Sequence, residues 1–345
     1  MSIRTPAVSV VLPTFNRLKY LRPAVDSVFA QSCDDWELII ADDGSGTETM
    51  AYLETLLADA RVRLLAMAHT GSPSVVRNAA LREARGEYVA FLDSDDVWLP
   101  RKLEAQLDAL RASRCRWSYT ALTRVNEPGE VIPHTRSPQT PGGSILKQLV
   151  SLEVAVATAA VMVERTLLNE VQGFDEEQPY FEEYDLWLRL NLRAPVCAVA
   201  EPLVQVRNHE QHYSADRIGV YRARLRLLDK LSTVADLSSA LRAERAKTAG
   251  ALAAVLAVAD RRVEALRMLL KSTSCVASSP RNLARAAMTA ARVFTPAWLR
   301  ALVRPSGRLQ SRTLNKPEAQ PAQQADHREG YEEHSGHGVQ PGLKP

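Results

Sequence analysis

Residues 84–100 read ARGEYVAFLDSDDVWLP, a short apolar run that ends in a cluster of carboxylates. The run from Tyr88 to Leu92 follows Gly86 and contains aromatic and β-branched residues, which predicts a buried strand. Acidic or hydroxyl side chains follow it directly, at Asp93, Ser94, Asp95 and Asp96. Ligands of open α/β sheets bind at the carboxyl ends of strands. The cluster is therefore a candidate site for Mg²⁺ or Mn²⁺, with an ordinary N-terminal helix cap as the alternative.

The composition is that of a globular protein with a substantial core. The chain has 345 residues, is 46% hydrophobic, and leaves room for one large domain with an appendage. Its net charge of +3 is too small to indicate a nucleic-acid partner. The sequence enters a strand almost at once and contains no apolar stretch of membrane-spanning length, so we expect a cytoplasmic protein.

The four cysteines are scattered along the chain and form no CxxC pair. They are Cys33, Cys115, Cys197 and Cys275. This spacing suggests neither a zinc site nor a disulfide framework, and burial is the role expected of them.

Strands and helices alternate through the first hundred residues, which predicts a parallel sheet. Predicted strands at 7–12, 36–41, 61–66 and 88–92 are each followed by a loop, and helical spacing comes after most of them. Polar residues stand after three of these strands: Thr14, Asn16 and Arg17; then Asp42 and Asp43; then Asp93 to Asp96. Because the carboxyl ends of parallel strands share one edge, these clusters predict a single binding crevice.

Two common nucleotide-binding motifs are absent from the sequence. No G-x-G-x-x-G follows the first strand, which disfavours a nicotinamide or flavin enzyme. No G-x-x-x-x-G-K-[ST] is present, which argues against a P-loop kinase or ATPase. The mode of nucleotide binding that remains is one through a metal ion and carboxylates.

Four motifs, in this order, resemble those of the family 2 glycosyltransferases. They are VSVVLPTFNR at 8–17, DDGS at 42–45, RN at 77–78 and FLDSDD at 91–96. The resemblance covers about residues 6–215 and implies the GT-A fold, an α/β nucleotide-sugar-binding domain with a mostly parallel central sheet.

The resemblance implies roles for most of the polar residues at the predicted crevice. Residues of the first loop would line the nucleotide pocket, an aspartate of the second would meet the base, and Arg77 would lie near the diphosphate. The donor-binding residues implied in this way are Pro13, Thr14, Asn16, Arg17, Asp42, Asp43, Arg77, Asp93 and Ser94. Asp42 and Asp43 remain alternatives for contact with the base.

The resemblance also implies a metal site for Mn²⁺ or Mg²⁺. Asp93 and Asp95 would form its D-x-D motif, with Asp96 as the alternative to Asp95. An Arg-x-His segment of the family returns to the diphosphate and metal, which makes His209 a third candidate ligand.

An acidic pair at Glu182 and Glu183 precedes the helical pattern DLWLRL. Carboxylates are favoured in the first turn of any helix, so a structural role is the simple interpretation. In the family, however, this pattern carries the catalytic base, usually as Glu-Asp. Glu183 stands where that Asp is expected and is our candidate base, with Glu182 as the alternative.

The C-terminal part of the chain has a different composition. Helical spacing from about 220 predicts a small helical appendage at 216–305, and residues 306–345 have the composition of a disordered tail. Segment 267–316 is basic and contains no acidic residue, with Phe294 and Trp298 among its charges. It is a candidate for peripheral contact with the inner face of a membrane, with a solvated helix that packs on the appendage as the alternative.

We therefore expect a metal-dependent inverting glycosyltransferase that moves a sugar from a nucleoside diphosphate, by preference UDP, to a hydroxyl of a glycan, a lipid-linked sugar or another acceptor. Synthesis of cell-surface polysaccharide or another glycan is the expected setting. A non-catalytic nucleotide-sugar or glycan-binding module is the alternative. A nucleic-acid partner is not expected, because an acidic rim repels a polyanion.

Overall fold

The computed structural model describes residues 5–113, 115–133, 140–208 and 216–275, which all fall within one compact unit. The strands are β1 (Val8–Thr14), β2 (Trp36–Asp42), β3 (Val62–Ala66), β4 (Tyr88–Phe91), β5 (Val97–Trp98), β6 (Trp117–Val125), β7 (Val161–Glu164) and β8 (Val196–Arg207). The helices are α1 (Leu18–Phe29), α2 (Thr47–Leu56), α3 (Pro73–Glu83), α4 (Lys102–Ala112), α5 (Leu146–Ser151), α6 (Arg165–Glu170), α7 (Glu182–Arg193), α8 (Arg217–Lys230), α9 (Ser238–Val258) and α10 (Arg262–Cys275).

The strands form one mixed sheet in the order β3-β2-β1-β4-β7-β6-β8-β5. The first four strands of that order are parallel to one another, as the alternation of strands and helices predicted. β7 is antiparallel to both β4 and β6, whereas β8 runs parallel to β6. The mostly parallel sheet is therefore confirmed, and its parallel half carries the predicted crevice.

The centre of the sheet is buried because its strands are apolar on both faces. Every residue of β2 is buried, and so is nearly every residue of β1. Parallel strands covered by helices have this continuous apolar character, which distinguishes them from the alternating strands of a half-exposed sheet.

Gly86 brings the start of β4 against β1. A Cβ on this residue would lie 2.5 Å from the Ser9 backbone nitrogen, so only glycine fits there. The Ser9 hydroxyl accepts from the Gly86 backbone N–H at 2.8 Å and donates to Glu37 at 2.7 Å. This contact fixes the start of the strand that carries the acidic cluster.

The C-terminal helices pack on the sheet domain through α8 and α9. α9 contacts α5, α8 and α10. The Arg224 guanidinium donates to Glu244 at 2.7 Å and to the Val150 carbonyl at 3.1 Å, and both charged side chains are buried. Through these two contacts, the Arg224 side chain links α8 to α9 and to the end of α5. None of the helices in the described part of the chain has the length and apolar character needed to cross a bilayer.

The expectation that the cysteines would form no disulfide is wrong for one pair. Cys115 and Cys197 are joined, with their Cα atoms 5.9 Å apart. The parallel pairing of β6 with β8 sets Ser118 opposite Cys197 and so brings together residues far apart in sequence. Cys33 is free and partly buried.

Several predictions concern residues outside the described ranges. They include the tail at 306–345, His209, and all of the basic segment after Cys275. The proposed boundaries at 215 and 305 stay predictions.

Candidate active site

A cavity of about 570 Å³ opens at the carboxyl ends of β1, β2 and β4. It is bounded by the loops after these strands, by α3, and by the start of α7. The predicted site residues that line it are Pro13, Thr14, Arg17, Asp43, Arg77, Asp93, Ser94, Asp95 and Glu183. The sheet therefore brings together residues that span 170 positions of sequence, from Pro13 to Glu183.

Asp95 and Asp96, in the acidic loop after β4, have different surroundings. Asp95 is paired with Arg17, Oδ2 to Nη1 at 2.6 Å, and its side chain is 14% exposed. Asp96 is buried, and its Oδ1 accepts from the Arg207 backbone N–H at 3.0 Å. Burial, reinforced by the charges of Asp93 and Asp95, raises the pKa of Asp96 well above its usual range. Both residues line the cavity, and Asp96 also ties the loop to β8.

Arg77 of α3 is a buried cation on the cavity wall. Its Nη2 donates to Asp93 Oδ1 at 2.6 Å, and its Nη1 lies 3.5 Å from Glu182 Oε1. Its Nε is buried and has no hydrogen-bond partner among the described residues. Arg77 therefore places a positive charge on the cavity wall between two carboxylates.

The loop after β1 contributes both cavity-lining and structural residues. Pro13 and Thr14 line the cavity, and the Thr14 hydroxyl is buried without a hydrogen-bond partner. Asn16 does not line it. Its Oδ1 accepts from the Gly46 backbone N–H at 2.8 Å, which joins this loop to the one after β2.

The two aspartates after β2 have separate positions. Asp42 Oδ2 accepts from the backbone N–H groups of Gly44 and Ser45, at 3.1 and 2.8 Å, and the residue lies outside the cavity lining. Asp43 lies on the cavity. Burial raises the pKa of its carboxyl, but hydrogen bonds from Thr70 and Gly71 outweigh that effect and hold the pKa below its ordinary value. Asp43 is therefore the member of the pair that lines the cavity.

The two glutamates at the start of α7, Glu182 and Glu183, also have different surroundings. Glu182 faces Arg77, and both Glu182 and Glu183 line the cavity. Burial, helped by the charge of Glu182, raises the pKa of Glu183 to about 8. Asp185 points elsewhere, into ion pairs with Arg189 at 2.6 Å and Lys230 at 2.9 Å. Glu183 is thus the carboxylate whose pKa lies near the range that a general base requires.

Residues that the sequence did not single out complete the cavity. Phe15 and His69 stack with ring centroids 4.2 Å apart, and both line it. The Arg207 guanidinium donates to the Asp95 carbonyl at 3.2 Å. Phe15 stands between two residues that the sequence did implicate. Arg207 begins the Arg-x-His segment that the family resemblance already implied would return to the site, whereas His69 lies in a stretch whose approach depends on tertiary structure.

The donor set of the acidic loop fits a hard divalent cation. Asp93 and Asp95 supply carboxylate oxygens on one cavity wall. Their negative charges also help to raise the pKa of the neighbouring buried carboxyl of Asp96. Mg²⁺ commonly takes one or two carboxylates together with substrate phosphates. Within the described ranges, no three side chains of the metal-binding types converge on a common point.

Comparison with known proteins identifies the family of this chain. A family model described as glycosyl transferase family 2 matches residues 9–170. The UDP-Glc:alpha-D-GlcNAc-diphosphoundecaprenol beta-1,3-glucosyltransferase WfgD of Escherichia coli is 30% identical over 53% of this chain and 69% of its own. This chain belongs to glycosyltransferase family 2. An uncharacterized glycosyltransferase of Rickettsia felis is also 30% identical, and there this family 2 chain spans only 33% of the relative's length.

Solved structures confirm the GT-A-like fold of this family 2 chain. Staphylococcus aureus TarS aligns over 83% of the chain and 52% of its own with a TM-score of 0.62 and 16% identity. TarS 1-349 in complex with UDP-GlcNAc aligns over 78% of the chain and 88% of its own, with a TM-score of 0.56 and 17% identity. At these identities the likeness shows the fold alone.

Proposed function

We propose that this family 2 chain is an inverting glycosyltransferase that moves a sugar from a nucleoside-diphosphate sugar to an acceptor hydroxyl. One observation carries the proposal: a single cavity combines buried arginine, paired carboxylates and Glu183, whose pKa is raised to about 8. UDP is the preferred nucleotide, since WfgD is named for UDP-Glc and a structural neighbour is in complex with UDP-GlcNAc.

The donor would lie along the carboxyl ends of β1, β2 and β4. Asp43 keeps its charge and faces the cavity, so it would accept hydrogen bonds from a base or ribose. The stacked rings of Phe15 and His69 offer an apolar surface beside it. Arg77, a cation on the cavity wall, would offset the negative charge of the diphosphate.

Glu183 would act as the general base. A sugar hydroxyl is a weak nucleophile, and a positioned carboxylate that takes its proton in the transition state contributes roughly 10²- to 10⁴-fold in rate. A pKa of about 8 lies near neutral pH, where a base combines adequate ionisation with a strong pull on the proton. Attack on the face opposite the diphosphate would invert the configuration of the sugar carbon.

Asp93 and Asp95 would hold Mn²⁺ or Mg²⁺, with His209 as a third candidate ligand. The bound cation would offset negative charge on the departing diphosphate. Arg17 and Arg77 pair with these carboxylates and place positive charge on the cavity wall beside the expected position of the phosphates. A mannosyltransferase from Pyrobaculum calidifontis, a structural neighbour at 16% identity, is in complex with GDP-Man and Mn²⁺.

For the acceptor we propose a chemical class rather than a single compound. The relatives include a putative teichuronic acid biosynthesis glycosyltransferase of Bacillus subtilis, 39% identical over 36% of this chain and 50% of its own. We propose a glycan or lipid-linked acceptor in cell-surface polysaccharide synthesis. A cytoplasmic chain that contacts the inner membrane face through segment 267–316 would suit such an acceptor.

Substitution of the two glutamates tests the base assignment. Glu183→Gln keeps the shape but removes the charge, so transfer should slow by roughly 10²- to 10⁴-fold while nucleotide-sugar affinity stays near that of the parent. Glu182→Gln is the matched control and should have a smaller effect. Donor hydrolysis and transfer are measured with and without chelator. Greater loss in Glu182→Gln would move the base by one residue, and no turnover in the parent would favour a binding module.

A further inference from the structure

The C-terminal helices form a second cavity, separate from the active site. It has a volume of about 630 Å³ and is lined only by residues of α8, α9 and α10. α9 packs against both neighbours, so α8 and α10 form the two walls. We call this feature the C-terminal groove. Its volume lies in the range of small-molecule sites.

The interior of the C-terminal groove is apolar. Its lining includes Leu225, Ala249, Leu252, Leu256 and Met268. Leu252 and Leu256 belong to a small hydrophobic cluster against which Leu225 and Met268 pack. A ligand that fills this surface must therefore carry an apolar portion.

The rim of the C-terminal groove is cationic. It has five basic side chains, Arg222, Arg226, Arg245, Arg267 and Lys271, against two acidic ones, Asp229 and Glu264. Both acidic groups are already paired, Glu264 with Arg222 at 2.6 Å and Asp229 with Arg245 at 2.9 Å. The Arg267 guanidinium has no ion pair or hydrogen bond to another described residue. The rim thus retains positive charge for an anionic ligand.

The outer surface of α10 extends this pattern. Val263 and Leu270 of α10 and Val258 at the end of α9 are 66%, 61% and 80% exposed, the highest values among large hydrophobic side chains of the described residues. At 100° per residue, Val263 and Leu270 share one face of α10, and Arg267 lies between that face and Met268 in the groove. Exposed apolar residues beside a basic band are typical of a helix that lies at a membrane interface.

We propose that the C-terminal groove binds an anionic phospholipid of a membrane surface. The alkyl chain would lie on the leucine-lined floor, and the phosphate would meet Arg267 on the rim. A free phosphate would leave the apolar floor unused. The chain's own following segment is an unsuitable occupant, because it has no acidic residue before Glu318 and would meet a rim of its own sign.

This site is distinct from electrostatic attachment through residues after Cys275, and it does not depend on the transfer reaction. The test must therefore locate the lipid on the protein. We would mix the full-length chain with vesicles of phosphatidylglycerol that contain a photoactivatable acyl chain, without nucleotide or metal. Cross-linked residues are then identified by mass spectrometry. We expect adducts on the floor at Leu225 or Met268, the two of its larger apolar side chains that are only partly buried.

Arg267→Glu should lower the yield of floor adducts by roughly 10- to 30-fold, because it reverses one charge on the rim. Arg242→Glu is the matched control: it reverses an exposed charge of α9 outside the groove lining and should leave the yield unchanged. Adducts confined to residues beyond 275, or equal floor labelling of phosphatidylcholine and phosphatidylglycerol, would overturn the proposal. Either result is independent of whether the protein transfers sugar.

Discussion

Glu183 shows how position alone changes the chemistry of a residue. Next to it, Glu182 faces the Arg77 guanidinium, while Glu183 lies in surroundings that raise its pKa to about 8. Two residues further on, Asp185 forms ion pairs with Arg189 and Lys230. Three carboxylates in one helical turn therefore have three different roles available to them.

The raised pKa of Glu183 predicts a pH-dependent stability. The folded protein holds this proton more tightly than the unfolded chain, whose glutamate has an ordinary pKa of 4.5. The ionised form is disfavoured in the fold, so this carboxyl lowers the free energy of unfolding progressively as pH rises from about 4.5 to about 8. Glu183→Gln escapes that loss and should be more stable than the parent at pH 8 by about 2–4 kcal/mol, with little difference near pH 4.5. Urea unfolding in metal-free buffer measures this, and a difference that is constant across the range would contradict it.

The position of Asp95 leads to a prediction about metal-dependent binding of the donor. Its carboxylate stands at the cavity surface, so Asp95→Ala should abolish metal-dependent binding of a nucleotide-sugar without unfolding the protein. A ligand that binds only the folded state raises its melting temperature, so the measurement is a thermal shift with nucleotide-sugar, with and without Mn²⁺. Asp108→Ala, which removes an exposed carboxylate of α4, is the control. A normal metal-dependent shift in Asp95→Ala would reject the D-x-D assignment.

At the scale of elements, the site depends on how closely strands approach one another. β4 carries the acidic loop, and its register against β1 is set where Gly86 meets Ser9. β8 reaches the same loop from the other half of the sheet through the Arg207 backbone. The acidic loop is thus tied to β8 through the Asp96 side chain, and the strand that leads into it is fixed where Gly86 meets Ser9.

Gly86→Ala should destabilise the protein strongly. The added Cβ would lie 2.5 Å from the Ser9 nitrogen and 2.8 Å from the Tyr88 carbonyl oxygen, and backbone atoms cannot move away cheaply. We expect a loss of about 2–4 kcal/mol in the free energy of unfolding. Gly46→Ala is the control, since its Cβ would find only an ordinary 3.6 Å contact with Asn16, and should cost less than about 1 kcal/mol. Equal effects in chemical denaturation would show that the approach of β4 is not tight.

At the scale of the whole molecule, distant segments of one chain are joined across the sheet. The disulfide between Cys115 and Cys197 closes a loop of sequence separation 82 that contains β7 and α7. Glu183 therefore lies within the part of the chain that this bond closes.

Cys197→Ser should lower the stability of the oxidised protein by about 2–4 kcal/mol, because the cross-link restricts the unfolded chain. Under dithiothreitol, parent and variant should unfold at nearly the same urea concentration. Urea titrations with and without reductant, together with a count of reactive thiols in the native protein, measure this. A difference that persists in reductant would assign the effect to packing of the side chain instead.

The sequence by itself determined the fold class and the rim of the site. Apolar runs set the strands, and polar residues directly after them had to meet at one edge, because parallel strands all end on the same side. The motifs that resembled family 2 glycosyltransferases added the order of those residues. Prediction succeeded where the signal is local in sequence.

Only the tertiary structure decided which side chains face the cavity and what environment each one has. It turned Asp43 to the cavity and Asp42 to a turn, buried Asp96 against β8, and paired Cys115 with Cys197. These outcomes depend on contacts between residues far apart in sequence. Adjacent residues of the same type have the same local pattern, so burial and long-range partners alone distinguish them.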